Sequence, residues 1–272
     1  MAELLVRGAH AGRSYVGIAG LWIRAAWQYQ TSFWTLLLGS ALINVIDFVA
    51  LIIIFSAIDS LAGFALAEVA LLYAATHVAL GAADTLIGSV ERIGTYIRTG
   101  RLDQMLTKPV PLLVQVCADQ FTLRRLGRIS QAAIVFAWAA LWVDWSPAKV
   151  LVAVGMLVSG TVIFFGFFVG FSSIQFWTTD ASEFANAFTY GGATLTAYPL
   201  TVFPRELLLG LTFGLPVAFV NWYPCLYLLD RTDPFGLPSI LQFASPAAAA
   251  LVLCAALLVW RSGVRRYTST GS

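Results

Sequence analysis

An all-α polytopic membrane protein with six transmembrane helices is the fold that the sequence predicts, and three observations predict it. The 272 residues are 59% hydrophobic and only 11% charged, with a strongly positive mean hydropathy, which excludes an ordinary soluble domain. The apolar residues gather into runs of about 20, the length that crosses a bilayer as a helix. The basic residues sort to the ends of those runs, as the positive-inside rule requires. A formal net charge of +2 is thereby explained by membrane topology, and nucleic-acid binding is set aside.

The first element is amphipathic rather than spanning. Over residues 13–32, RSYVGIAGLWIRAAWQYQTS, helical spacing puts Arg13, Gly17, Gly20, Arg24, Gln28 and Thr31 on one face, with Val16, Ile18, Trp22, Trp27 and Tyr29 around the rest. Such a helix lies in the membrane interface. As a seventh span it would carry Arg24 near its centre, at a high cost in hydrocarbon. No apolar region with a small-residue cleavage site precedes it, so no signal peptide is expected.

The spans follow at Phe33–Ile58, Phe64–Val90, Leu126–Trp145, Lys149–Phe176, Glu206–Leu228 and Gln242–Trp260. An even number returns the chain to its starting side, so both termini are expected to be cytoplasmic. The charges agree, because 14 of the 16 basic residues fall on that side and only Lys149 and Arg231 on the other. The fifth span is the least regular, interrupted by Pro216 and followed by Pro224. The fourth carries Gly155, Ser159, Gly166, Gly170 and Ser173 within a narrow arc, a stripe suited to close helix packing.

Between the second and third spans lies the most charged stretch of the chain, residues 91–125 extended to Arg128, which holds seven of the 16 basic residues. Within it, residues 95–106 combine Arg98, Arg101 and Asp103 with Leu102, Met105 and Leu106, ahead of Pro109 and Pro111. Charges alone would serve topology and lipid headgroups. The apolar residues between them add an anchor of the kind that interfaces use. Residues 177–205 form a second, shorter connection on the same side, carrying Asp180, Glu183 and Tyr190.

Ionisable and amide groups inside apolar spans are costly and either pair with one another or line a path. Asn44 and Asp47 share a face of the first span, and His77 and Asp84 a face of the second. Both roles stay open: pathway lining, or hydrogen bonds between helices. Glu68 and Glu91, near span ends, are expected to be solvated.

No catalytic residues are assigned. The two lysines, Lys108 and Lys149, stand in LTKP and PAKV, so no GxxxxGK[ST] phosphate loop exists in this chain. Two histidines make no HExxH, no GxSxG elbow appears, and the three cysteines show no ligand spacing, so neither a metal nor a cofactor is expected here.

Four stretches carry a family resemblance: GRLDQMLTKPVP (Gly100–Pro111), FW (Phe176 and Trp177), YPLTVFP (Tyr198–Pro204) and GLPVAFVNWYP (Gly214–Pro224). The chain resembles the permease subunits of type II ABC exporters, in the bacterial six-span branch marked by G-x-L-D-x-x-L-x-K-P after the second span and Y-P-L-x-x-F-P before the fifth. The resemblance implies a multi-pass protein of the bacterial plasma (inner) membrane, paired with a second permease subunit, identical or different. It implies a cytoplasmic ABC ATPase dimer that binds ATP and Mg. It also implies a coupling helix at about Thr95–Leu106 that docks on that ATPase, braced by the interfacial helix. A broken helix outside the fifth span would fall around Pro224, Pro234, Gly236 and Pro238. Two other classes compete: a proton-coupled secondary transporter built on Asp47, His77 and Asp84, and an intramembrane enzyme acting on lipid.

Overall fold

A computed structural model describes residues 2–121, 125–178 and 182–268. Arg124 of the basic loop and Asp180 of the second connection lie outside the described residues. Among the described residues all the regular structure is helical apart from one isolated bridge, Leu61 with Phe64.

The amphipathic helix is longer than expected: α1 runs Ala2–Trp27. The preceding AELLVRGAHAG is rich in good helix formers and carries the helix back to Ala2. It ends before residue 32, because Tyr29 leaves helical geometry and the first long apolar helix, α2 (Gln30–Ala57), starts at once. Tyr15 of α1 donates through its hydroxyl to the Leu86 carbonyl at 3.2 Å, and Ala19 is buried. Arg13, Trp22, Arg24 and Trp27 all point outward, as an interfacial position requires.

Among the described residues four helices are long and apolar enough to cross a membrane: α2, α3 (Leu66–Ile87), α8 (Pro147–Ser172, continued to Phe176) and α12 (Ser245–Arg266). Between α3 and α7 (Leu126–Ala140) the basic loop folds into three short helices, α4 (Ile93–Arg98), α5 (Arg101–Leu106) and α6 (Leu112–Ala118). At 15 residues α7 is shorter than the third predicted span. Its length of about 22 Å falls below the hydrocarbon thickness, because the helix gives way to turns ahead of Asp144 and Pro147.

The fifth predicted span is broken. Residues 205–214, opening with α10 (Arg205–Leu209), and residues 216–228, ending in α11 (Trp222–Leu228), meet at 73°. The break falls at Leu215–Pro216, inside the span, and not in the later Pro-rich stretch. Pro216 supplies no amide hydrogen there, and Leu215 is extended. Pro224 sits within α11, near its start, where a missing N–H costs little.

The bundle is built on α3, most of whose residues are buried, with α7, α8 and α9 (Ser182–Thr196) around it. Gly166 and Gly170 of the α8 stripe pack on α12, where a Cβ at Gly166 would stand 2.7 Å from Val252 Cγ1, while nothing lies within 4 Å of a Cβ at Gly155. In contrast, only Asn44 and Leu51 of α2 are buried, and its apolar residues face outward. Both terminal helices reach the basic-loop end of the bundle, through Tyr15 to Leu86 and through Tyr267, which donates to Asp103 Oδ1 at 3.1 Å. At the opposite end Lys149 pairs with Asp230 (2.6 Å) and Arg231 with Glu68 (2.7 Å).

Candidate functional site: a folded basic loop and a polar groove

The residues expected to form one docking helix form two, and Tyr96, Ile97, Leu102 and Met105 among them are buried. Gly100, in the left-handed region at φ 66°, separates α4 from α5. Leu102 is 0% and Met105 6% exposed, while Leu106 is 44% exposed. The two central apolar anchors therefore belong to the chain's own core. The charges are used similarly: Arg101 pairs with Asp119 at 3.0 Å, and Asp103 accepts from Tyr267. What the loop turns outward is a ridge of Arg98, Thr99, Gln104, Leu106, Thr107 and Lys108.

Internal polar bonds hold that ridge. Asp119 accepts from Tyr96 as well as Arg101, and the Arg101 guanidinium lies 4.9 Å from the Tyr96 ring centre. Burial and the bond to Asp119 push the Tyr96 hydroxyl up to about 12. Gln115 donates to the carbonyls of Met105 (2.9 Å) and Val110 (2.7 Å). Gln175 accepts from the Gly94 amide and donates to the Glu91 carbonyl, each at 3.0 Å, tying the loop to the end of α8. At the root of the loop Gly88 adopts φ 53°, and a Cβ there would stand 2.0 Å from the Cys117 carbonyl oxygen. Sequence reasoning passed over Asp119, Tyr96, Gln115 and Gln175. A lone acid in the apolar run VCADQF was the one available hint.

The intramembrane polar residues divide between two adjoining cavities on the α2 side of α3. One, of about 530 Å³, is lined by Asp84, Glu91, Arg125, Arg128 and Tyr190 together with Thr35 and Ser40 of α2. The other, of about 400 Å³, is lined by Asn44, Asp47, Tyr73, His77, Thr194 and Tyr198. Ser40, Ile43, Arg128 and Tyr190 line both, so the two make one groove from the basic-loop end to the middle of the spans. Asn44, Asp47 and His77 thus meet. Asp84 shares their groove but is engaged elsewhere.

Asp84 pairs with Arg125 at 3.1 Å and with Arg128 at 3.9 Å. Glu91 accepts from Tyr190 at 3.1 Å and lies 4.0 Å from Arg125. Neither acid near a span end is simply solvated, since Glu68 is held by Arg231 as well. Burial first, and the neighbouring Asp84 charge second, raise Glu91 above the usual carboxylate range, against the pull of Arg125 and Tyr190. Arg125 and Arg128, counted in the sequence as topology charges, are structural partners of these acids.

In the second connection α9 packs against the bundle: Tyr190 bonds Glu91, and Thr76 of α3 donates to the Thr196 carbonyl at 3.1 Å. Thr194 and Thr196 bond the carbonyls of Tyr190 and Gly192 in their own helix, which lets them enter an apolar setting. Asn221, fully buried in the broken span, donates to Leu72 O (2.9 Å), Thr76 Oγ1 (2.8 Å) and Thr196 O (2.7 Å). These bonds knot α3, α9 and the broken span together. Among the described residues no group of three His, Cys, Asp or Glu side chains is placed to hold a metal ion.

Long apolar helices enclosing a polar groove, with a folded charged loop at one end, define an integral membrane protein of the transport class. The chain belongs to the family described as ABC-2 family transporter protein, whose model matches residues 41–271. The match takes in most of α2 and every later element, and leaves out α1. No curated protein and no solved structure matches the chain.

Proposed function

We propose that the chain is the membrane subunit of an ATP-driven ABC exporter of the bacterial inner membrane, with its termini and basic loop on the cytoplasmic side. The observation that carries this reading is a pairing: an ABC-2 family membrane domain without a phosphate loop, and a basic loop folded into a rigid knob whose ridge is left exposed. The ATP-binding site, with its Mg, then belongs to a partner ATPase dimer. The ridge at Arg98, Thr99, Gln104, Leu106 and Lys108 is the surface that meets it, and the bonds of Asp119, Gln115 and Gln175 carry its displacement to α3 and α8.

In this reading the six predicted segments are the spans, with the fifth broken at Pro216 and α7 completed by the turns after Ala140. The outward apolar face of α2 and the groove beside it meet a second permease subunit, identical or different, and the groove lines the translocation path. Co-purification of the chain with its ATPase tests the proposal. Leu106→Asp with Lys108→Glu is expected to abolish association while the permease stays folded, and undiminished association and transport would overturn the assignment.

A further inference from the structure

We infer that the Asp47 end of the groove is a recognition site for the protonated amine of an amphipathic cargo, a reading that deepens the proposed export path and rests on it. Asp47 lies near the middle of α2, a helix of 28 residues, and its carboxylate lines the 400 Å³ cavity. It is exposed, and among the described residues it has no hydrogen-bond or ion-pair partner. A carboxylate at that depth is costly unless water or a cation answers it.

The walls around it are built of acceptors and ring faces. His77 Nδ1 lies 2.9 Å from the Tyr73 carbonyl. A carbonyl only accepts, so in the neutral ring the proton sits on Nδ1 and Nε2 is left as an acceptor. The imidazole stacks on Tyr73 with centroids 4.0 Å apart, and Tyr198 closes the cavity beside them. The Tyr73 hydroxyl is spent on the Asn44 carbonyl at 3.1 Å, and the Asn44 amide nitrogen on the Ser40 carbonyl at 2.6 Å. Two of the cavity's donors are therefore turned away from a ligand, while the carboxylate and aromatic faces remain, and both attract cations.

The opposing charge is Arg128, at the junction with the second cavity. It lies 3.9 Å from Asp84 and 5.9 Å from the Tyr190 ring centre, with one buried guanidinium nitrogen lacking a hydrogen-bond partner, and Asp84 is bound more closely by Arg125. Arg128 is drawn toward Asp84 at the junction, and Asp47 is the carboxylate that this cavity leaves for a cationic ligand. An ammonium with N–H groups satisfies both Asp47 and His77 Nε2, whereas a quaternary ammonium satisfies the charge alone.

The test uses the chain in nanodiscs of neutral phosphatidylcholine, without ATPase, titrated with dansylcadaverine, its trimethylammonium analogue and dansylglycine, with empty nanodiscs as background. The primary amine is expected to bind about tenfold or more tighter than dansylglycine, and severalfold tighter than the trimethylammonium analogue. Asp47→Asn should weaken the amine by roughly tenfold, the worth of about 1.4 kcal/mol. Asp47→Glu should restore most of the binding and so exclude misfolding. His77→Phe, which keeps a ring against Tyr73, should erase the preference for N–H over trimethyl.

Preference for the carboxylate probe, equal binding of all three, or amine binding indifferent to Asp47→Asn each overturns the inference. So does an Asp47→Asn variant that loses its second subunit on size exclusion but still binds the amine, because Asp47 would then be an interface group. ATPase association is measured separately. Amine binding by a chain that captures no ATPase in that separate measurement would sink the exporter reading and leave the site standing, and ATPase capture without amine binding would sink only the site.

Discussion

Leu102 and Leu106 stand four residues apart in the same two-turn helix, and opposite outcomes are expected from changing them. Leu102 is fully buried, so Leu102→Ala removes its packing and leaves a cavity, at a cost of about 2–5 kcal/mol. The loss falls on a loop held by a few polar bonds, so the knob opens before the spans do. Leu106 is 44% exposed, and Leu106→Asp should change stability by about 0.5 kcal/mol or less. If Leu106 is an anchor of the ATPase contact, the same change should cost about 2 kcal/mol or more in association, roughly 30-fold in affinity. Thermal unfolding by fluorescence-detected size exclusion reads the first quantity, and ATPase capture at graded concentration reads the second. Leu102→Ala is expected to lower the midpoint and to weaken capture only as far as the loop has opened. Leu106→Asp is expected to keep the midpoint and lose capture. Wild-type capture by Leu106→Asp would refute the docking surface, and an unchanged midpoint for Leu102→Ala would refute the inward packing of α5.

Gly88→Ala should prevent the loop from closing, because its Cβ would meet the Cys117 carbonyl at 2.0 Å in a backbone region that L residues disfavour, and folded yield on size exclusion reads the loss. Asn221→Leu, which strips one donor from three acceptors, should cost about 1–3 kcal/mol and expose the broken span to limited proteolysis at lower temperature. Glu91 gives a pH dependence. Its folded-state pKa is raised, so the folded state holds the proton more tightly than the unfolded chain. Its contribution is then greatest below the ordinary carboxylate pKa and falls as pH rises from there through the raised value. Glu91→Gln should flatten that part of a stability profile measured from pH 4 to 8.

The long helices were legible because hydropathy is additive along the chain: α2, α3, α8 and α12 fall close to the predicted spans. The breaks were less so. Pro216 marked the fifth span as irregular, but a 73° bend depends on what packs against each half. Periodicity put Asn44 with Asp47 and His77 with Asp84, and both pairs do line one groove. It could not place Arg125 and Arg128 against Asp84 or bring Tyr190 to Glu91, because those contacts join segments 41 to 99 residues apart. Amphipathic pattern failed most plainly at α5. Leu102, Met105 and Leu106 read alike as apolar residues in a charged loop, yet two are core and one is surface.

The basic loop shows why charge and contact are separate signals. A positive-inside count registers each arginine once, wherever its side chain goes, because insertion is decided before the chain has folded. Folding then assigns the same side chains again: Arg101 to Asp119, and Arg125 and Arg128 to Asp84. Paired in this way, they offer little to a soluble partner, because a second acid would have to compete with one already within about 4 Å. The charge left for a docking ATPase must then come from residues at the rim, such as Lys108. The inward arginines instead make the groove mouth nearly neutral, with Asp84 and Glu91 opposite Arg125 and Arg128. Neutralising either of the inward arginines should therefore disturb the groove and leave ATPase capture intact, the reverse of changing the ridge.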